Sequence, residues 1–294
     1  MKKSADHFQR IGLVGNAEKS ACAQSVCAAA RLIHRAGRTV ICDETTAKSA
    51  RLKCETRPDA AELARATDLM IIFGGDGTML HAARQIAGSR TPMLGVNIGG
   101  LGFLTAIPSD KIADGLKMVW EGKFKFDTRA LIEATGICQG RKVKATALND
   151  IVVTRGAVSR LIALDVSVNG ELITRYRCDG LIVSSPTGST AYSLAAGGAI
   201  VLPTAEVFAL TPICPHALSN RSIILPLSAT IRVRAVNPQS AAYLNADGQI
   251  VGELDTDDEI TIRRSRHSVR LMRLAHNSFL EAMRRKLHWR GTYL

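Results

Sequence analysis

The sequence predicts an α/β domain followed by an all-β domain, with a helical tail at the end. Three observations carry this reading. The apolar run Leu69-Met70-Ile71-Ile72-Phe73 leads straight into Gly74-Gly75-Asp76-Gly77. A run without polar alternation suits a strand buried on both faces, as in a parallel sheet. Before Gly122, strand-like and helix-like segments alternate, the pattern of a doubly wound half. After Gly122, short β-rich segments recur at regular intervals, the pattern of an antiparallel sandwich.

In chain order, residues 10–16 read as a first strand. Residues 20–35 read as a helix, with Ala23, Val26, Cys27, Ala30, Leu32 and Ile33 at helical spacing and Gly37 as its stop. A strand at 39–42 and a short helix at 60–67 precede the central strand. After the glycines, Thr78, Met79, Leu80, Ala82, Ala83 and Ile86 form a helical stripe. Residues 92–97 read as another buried strand and 109–121 as a helix. Strands follow at 123–126, 130–134, 143–148, 151–154, 162–168 and 172–176. Asn169-Gly170 between the last two is a strong signal for a two-residue hairpin turn. Further strands are expected at 222–225, 230–236 and 259–264. Residues 277–289 return to helical spacing, and a lone helix must bury its apolar stripe on something. The expected organisation is a Rossmann-like domain over 1–125, a β-sandwich over 126–270, and a helical tail over 271–294 that packs back on the first domain.

The composition, 46% hydrophobic and 22% charged, is that of a soluble globular chain. No apolar stretch approaches the ~20 residues that span a bilayer, and the first ten residues lack an apolar signal core. The expectation is a cytoplasmic protein with no membrane partner. Cys22, Cys27, Cys42, Cys54, Cys138, Cys178 and Cys214 form no CxxC pair, which argues against a disulfide framework or a structural zinc site. The net charge of +12 is not gathered in one run, and aromatics are only 4%. Polyphosphate small molecules fit that positive field better than nucleic acid does, because stacking platforms are few.

Glycines at the end of a strand let the backbone turn with positive φ and let a ligand approach the main chain. In open α/β sheets ligands bind at that edge, often with phosphate near a helix N-terminus. This reading puts Asp76 beside phosphates at a strand tip. The same residues also describe a tight turn with Asp as helix N-cap. A second glycine-rich loop, residues 98–104 with Gly99, Gly100 and Gly102, follows the next strand and reads either as the other wall of a cleft or as a flexible connection. Residues 177–198 are rich in hydroxyls and glycines, a composition suited to ribose and phosphate or to a turn that opens a helix. Asp179 within them can accept bonds from a sugar diol or a carboxamide. No GxxxxGK[ST] sequence is present, and no GxGxxG fingerprint with its distant acid, which disfavours a P-loop kinase and a dehydrogenase.

Taken in this order, the motifs resemble the NAD kinase family, whose members phosphorylate NAD to NADP. Gly74-Gly75-Asp76-Gly77-Thr78 resembles the family's first motif, and residues 97–104 the loop after it. Asn149-Asp150 resembles its Asn-Glu/Asp pair. Asp179-Gly180 with residues 186–193 resembles its signature, and Asp247-Gly248-Gln249 its late loop. The first motif alone is shared with diacylglycerol, sphingosine and phosphofructo-kinases. The combination covers nearly the whole chain.

The resemblance implies transfer of the γ-phosphoryl of ATP to the 2′-hydroxyl of the adenosine ribose of NAD. It implies Mg²⁺ or another divalent metal with ATP, no metal site identified in the protein itself, and a homodimer or homotetramer. Asp76 is implied as proton acceptor, with Mg²⁺ coordination as the role left open beside it. The implied NAD pocket holds Asp76, Gly77, His81, Asn149, Asp150, Arg160, Arg177, Asp179, Thr190, Ala191, Tyr192, Ser193, Leu194, Ala195 and Gln249. Gly74, Gly75, Thr78, Gly99, Gly100 and Gly102 are the implied phosphate and nucleotide loops. Asp179 is implied at the nicotinamide end and Tyr192 against adenine or ribose. His81 and Arg160 read equally well as exposed surface. Many family members carry Glu where this chain has Asp150, a difference in reach. ATP against polyphosphate, and NAD against NADH, stay open. The alternatives are a lipid or sugar kinase sharing the first motif, and a non-catalytic NAD(P)-binding regulator.

Overall fold

The structure, a computed structural model, describes residues 8–16, 20–100, 102–156, 160–217, 219–236, 241–275 and 278–289. It divides into two compact units, one running to Thr128 and resuming at Val269, the other comprising Arg129–Ser268.

The first unit opens with β1 (Arg10–Gly15), α1 (Ser20–Arg35), β2 (Thr39–Asp43), α2 (Glu44–Ala50), β3 (Glu55–Arg57) and α3 (Ala60–Ala66). It continues with β4 (Leu69–Gly74), α4 (Asp76–Gln85), β5 (Met93–Asn97), β6 (Ile107–Pro108) and α5 (Ile112–Trp120). The parallel order is β5-β4-β1-β2-β3. All six residues of β4 are buried. Side chains alternate across a strand, so Leu69, Ile71 and Phe73 face a core built with Val26, Ala29 and Ile33 of α1 and Leu116 and Val119 of α5. Met70 and Ile72, on the other face, are equally buried. The register Gly74↔Asn97 ends β4 and β5 at the same edge, so the loops after them start side by side.

Two elements lie where the sequence shows no apolar periodicity. α2 starts because the Asp43 carboxylate accepts from the backbone N–H (2.8 Å) and hydroxyl (2.6 Å) of Thr46. It leads into β3, which pairs with β2.

The second unit takes in β7 (Phe124–Cys138) from Arg129 onwards, β8 (Arg141–Ala147), β9 (Asp150–Arg155), β10 (Ile162–Val168), β11 (Glu171–Cys178) and β12 (Gly180–Ser184). A 3₁₀ turn (Thr187–Thr190) and a single helical turn, α6 (Tyr192–Ala195), come next. Then follow β13 (Val207–Ile213), β14 (Ile223–Pro226), β15 (Ile231–Ala235), β16 (Ala242–Ala246), β17 (Gln249–Leu254) and β18 (Glu259–Leu274). One antiparallel sheet has the order β14-β13-β12-β9-β16-β17, and β11-β10-β15-β18 forms another with β7 and β8. Ile151, Val153, Leu181, Val183 and Phe208 of the first share one core with Leu164, Val166, Tyr176, Val233 and Ile262 of the second. This is the expected sandwich. Asn169 and Gly170 take φ of 51° and 90° between paired Val168 and Glu171, the two-residue turn their sequence predicts.

β7 joins what read as two strands into one, and β18 runs ten residues past its expected end. Charged residues interrupt the alternation there, but neighbouring strands hydrogen-bond the backbone regardless. The last residues of β18 belong to the first unit, where Leu271 pairs in parallel with Met93. β12, β13, β16 and β17 were not expected from the sequence. The apolar core of β12, Leu181-Ile182-Val183, sits inside the hydroxyl-rich stretch that hid it. After β18 the first unit ends with α7 (Phe279–Lys286), within the expected helical tail; residue 277, its expected start, lies outside the described residues.

On β10, Asp165 stands directly opposite Arg175 of β11 and Arg234 of β15. It accepts from Arg175 Nε (2.6 Å) and Nη2 (3.0 Å) and from Arg234 Nη2 (2.8 Å). The Arg175 guanidinium, aided by Arg234, holds this carboxyl down at about 2, against an ordinary 3.8. A depressed acid stabilises the fold above its unfolded value and loses that contribution as pH falls towards the folded one. Urea unfolding between about pH 5 and pH 2 is therefore expected to show a shallower acid limb in Asp165→Asn than in wild type. Equal slopes would show that the pair adds no stability.

Candidate functional site

Gly75 is the N-cap of α4, at φ −104°, and makes no side-chain cap bond. Asp76, the first helical residue, turns its carboxylate away from its own helix. Oδ2 accepts the Phe103 N–H at 2.9 Å and Oδ1 the Leu104 N–H at 3.0 Å. Asp76 is therefore not an N-cap; the two glycine-rich loops meet through its carboxylate. Gly102 makes the approach possible, because a β-carbon there would collide with Asp76 Oδ1. The loop is pinned elsewhere too. Arg273 Nη2 donates to the Phe103 carbonyl at 2.7 Å, and Asn97 Nδ2 donates to the carbonyl of Gly99, which sits at φ 121°. From α7, Lys286 Nζ lies 3.8 Å from Asp76 Oδ2 and 4.4 Å from the centre of the Phe103 ring.

The expectation of positive φ at Gly74, Gly75 and Gly77 is corrected: none of them adopts it. Gly74 is needed for space, since a β-carbon would strike the Thr78 side chain where α4 turns over the strand end. A β-carbon at Gly75 or Gly77 would meet nothing within 4 Å, so the main chain there faces open space. Thr78 is half-buried, and His81, Gly99 and Gly100 are exposed.

The second unit gathers its own cluster. Asp247 and Gly248, at φ 47° and 77°, form the two-residue turn between β16 and β17. The Asp247 carboxylate accepts from the backbone N–H groups of Leu148 (3.0 Å), Asn149 (2.7 Å) and Asp150 (3.3 Å). The Asn149 carbonyl accepts the Ser185 N–H at 2.8 Å, and a β-carbon on Gly188 would overlap that carbonyl. The Asn-Asp pair, the late loop and the signature turn are thus tied together. Arg129, buried, donates to Thr187 Oγ1 at 3.1 Å. Ser193 Oγ, Thr211 Oγ1 and Ser222 Oγ form a hydroxyl chain at 3.0 and 2.8 Å that anchors α6 on the sheet. Thr190, Ala191 and Leu194 are half-buried, whereas Ala195 and Tyr192 are exposed, Tyr192 at 44%. Asp150 is only 5% exposed; burial, with the Asp247 charge second, raises its carboxyl to about 7.

Asp179 stands apart from this cluster. The register Gly180↔Thr154 to Ser184↔Asp150 puts it just beyond the far end of the β9–β12 ladder, five residues and so about 17 Å from Asp150 at ~3.4 Å per residue. There it accepts from Arg155 Nε at 2.6 Å. Arg160, Arg177 and Gln249 are exposed. Sequence reasoning missed the Phe103 and Leu104 amides, Arg155, Arg273, Lys286 and the clamp role of Asp247. Only the Asp-Gly turn signal at 247–248 pointed towards any of them.

Two family models match the chain: the ATP-NAD kinase N-terminal domain over residues 11–124, and the ATP-NAD kinase C-terminal domain over 148–274. The chain belongs to the ATP-NAD kinase family. It is 40% identical to the NAD kinase of Moorella thermoacetica over 97% of this chain and 91% of that one. It is 38% identical to the NAD kinase of Methylibium petroleiphilum over 97% of this chain and 96% of the relative. Among solved structures, yeast NADH kinase complexed with NADH superposes with a TM-score of 0.89 at 27% identity, covering 98% of this chain and 89% of that chain. An NAD kinase from Archaeoglobus fulgidus in complex with ATP gives 0.75 at 25% identity, covering 96% and 100%. As a family member the chain is a phosphotransferase. Among the described residues, no three His, Cys, Asp or Glu side chains gather to hold a metal, and no helix is long and apolar enough to cross a membrane.

Gly102→Ala is expected to push the Asp76 carboxylate off the loop, so that the Phe103 and Leu104 amides exchange hydrogen at least about tenfold faster; unchanged protection would mean the loop yields without breaking these bonds. Asp150 carries a pH signature of the opposite sign to Asp165. An acid raised on folding weakens the fold as pH climbs from its unfolded value to its folded one. Wild type should thus lose stability relative to Asp150→Asn between about pH 4 and pH 7, measured by urea unfolding, and parallel curves would show that Asp150 is not raised.

Proposed function

We propose that this kinase transfers the γ-phosphoryl group of ATP to the 2′-hydroxyl of the adenosine ribose of NAD, with Asp76 accepting the hydroxyl proton. One observation carries the reading. Asp76 is the carboxylate at the tip of the central parallel strand, aimed by two loop amides, with open space over Gly75 and Gly77. A hydroxyl is a weak nucleophile at neutral pH, so transfer needs in-line positioning, charge neutralisation and a proton acceptor. Each amide occupies one acceptor site on its oxygen, and a carboxylate keeps further lone pairs for a hydroxyl. The 2′-oxygen bonds to phosphorus, its proton goes to Asp76, and the bridging O–P bond breaks with the electron pair leaving on ADP.

ATP is taken as its Mg²⁺ complex, since Mg²⁺ binds chiefly phosphate oxygens and water with one or two carboxylates. That ion neutralises charge on the triphosphate. The Lys286 ammonium beside Asp76 Oδ2 argues against a metal on the same oxygen, which favours proton acceptance as the role of Asp76. NADH in the yeast relative and ATP in the archaeal one support a nicotinamide dinucleotide and a triphosphate as the two substrates. In the second unit we assign NAD recognition to Asn149, Asp150 and residues 190–195. Tyr192 stacks on adenine or ribose, Asp179 meets the nicotinamide end, and Arg160, Arg177 and Gln249 line the rim. In the first unit we assign His81 and Gly77 to NAD contact, and Gly74, Thr78, Gly99, Gly100 and Gly102 to the phosphate loops. The resemblance supports a homodimer or homotetramer, and the sequence a cytoplasmic setting.

Purified chain with NAD, ATP and Mg²⁺ is expected to form NADP, read with an NADP-specific dehydrogenase. Asp76→Asn should cut kcat by about 10²–10⁴-fold while calorimetry still detects NAD binding. Near-normal turnover in that variant would remove Asp76 from the chemistry.

A further inference from the structure

Three basic residues end α7: Arg284, Arg285 and Lys286. The first two are exposed, and cations in a last turn complement the helix dipole. Lys286 behaves differently. It shares one face of α7 with Phe279 and Met283, at helical spacing. Met283 is buried, and the Phe279 ring lies 5.9 Å from that of Phe103. On this inward face an apolar side chain would satisfy the packing, yet the chain places an ammonium there. The Lys286 side chain is 30% exposed, and Nζ stands 3.8 Å from Asp76 Oδ2, over the Phe103 ring. Dipole and packing account for a cation near a helix end, but not for one aimed at the acid that the neighbouring loop has already oriented.

We infer that Lys286 is a further catalytic residue, its ammonium meeting the oxygens of the phosphoryl group in transit. This rests on the function proposed for Asp76. A hydroxyl that gives its proton to Asp76 lies about 2.7 Å from a carboxylate oxygen. The phosphorus it attacks is the next atom along. A four-carbon stem with a rotatable head spans the few remaining ångströms. Bonds and protons balance as before: oxygen to phosphorus forms, phosphorus to ADP breaks with the pair on ADP, the proton rests on Asp76, and Lys286 keeps its own protons throughout. Charge spreads over three equatorial oxygens in the transition state, and a fixed cation at that point needs no reorganisation as it develops. Before substrates arrive, the ion pair with Asp76 and the Phe103 ring hold the ammonium in place.

The test uses the full chain with ATP, Mg²⁺ and NAD. Lys286→Gln and Lys286→Met should each lower kcat about a hundredfold, the scale of losing one preorganised charge contact. The KM for NAD should move by less than about threefold, and the thermal midpoint should hold. Lys286→Arg, which restores a cation, should recover roughly a tenth or more of the rate. Arg285→Gln removes the same charge from the exposed side and should match wild type. Should the Met variant fail to fold, the Gln variant, which keeps much of the stem, decides alone. The inference is overturned by a folded Lys286→Gln with kcat within about threefold of wild type, by a loss confined to KM, or by an Arg variant as poor as Gln. If wild type forms no NADP, the kinase reading falls and this inference with it; an active wild type with an equally active Gln variant sinks this inference alone.

Discussion

Two backbone N–H groups, from Phe103 and Leu104, determine where the Asp76 carboxylate points, and much of the first unit exists to bring them there. β4 and β5 lie side by side and end in register, so their loops leave from one edge. Gly102 removes the β-carbon that would hold the loops apart, and Arg273 grips the second loop from behind. A carboxylate on its own strand tip has several rotamers. With one amide on each oxygen it has a single direction, and that direction faces away from the helix it begins. The orientation of this carboxylate is thus settled before any ligand binds, as preorganisation requires of a group that is to act without reorganising.

The second unit uses the same device for a different end. Asp247 also spends its carboxylate on backbone amides, three of them, but its product is a shaped loop. It fixes the backbone of Asn149 and Asp150, and Ser185 and Gly188 close on that backbone from the signature turn. Asp150 is buried beside Asp247 as a result, and burial raises its carboxyl to about 7. Asp165, on an outward strand face between two guanidinium groups, is driven the other way. The same residue type takes opposite shifts because one sits in a dry knot beside a like charge and the other between opposite ones.

Much of the architecture was legible along the chain. Apolar spacing located α1 and the buried β4, and Asn169-Gly170 marked its hairpin, because these signals are local. The extents of β7 and β18 were not legible. Charged residues break their alternation, and their continuity is enforced by hydrogen bonds to strands distant in sequence. The glycine pattern around Asp76 marked the strand tip where the two loops meet, for a partly wrong reason. Those glycines open space; they do not supply left-handed turns. Lys286 was hidden, since a basic residue in the last turn of a helix reads as ordinary dipole complementation.

What the sequence determined by itself was the family, the two-domain texture, and which carboxylates and glycines stand at loop positions, because each is encoded in residues adjacent along the chain. What the tertiary structure alone decided was partnership. It chose which amides hold Asp76, that Asp247 clamps Asn149-Asp150, that Asp179 pairs with Arg155, and that a lysine over two hundred residues after Asp76 stands beside it. Such contacts depend on sheet register and helix docking, and a hydrogen bond formed across that separation leaves no periodicity or spacing in the chain to be read.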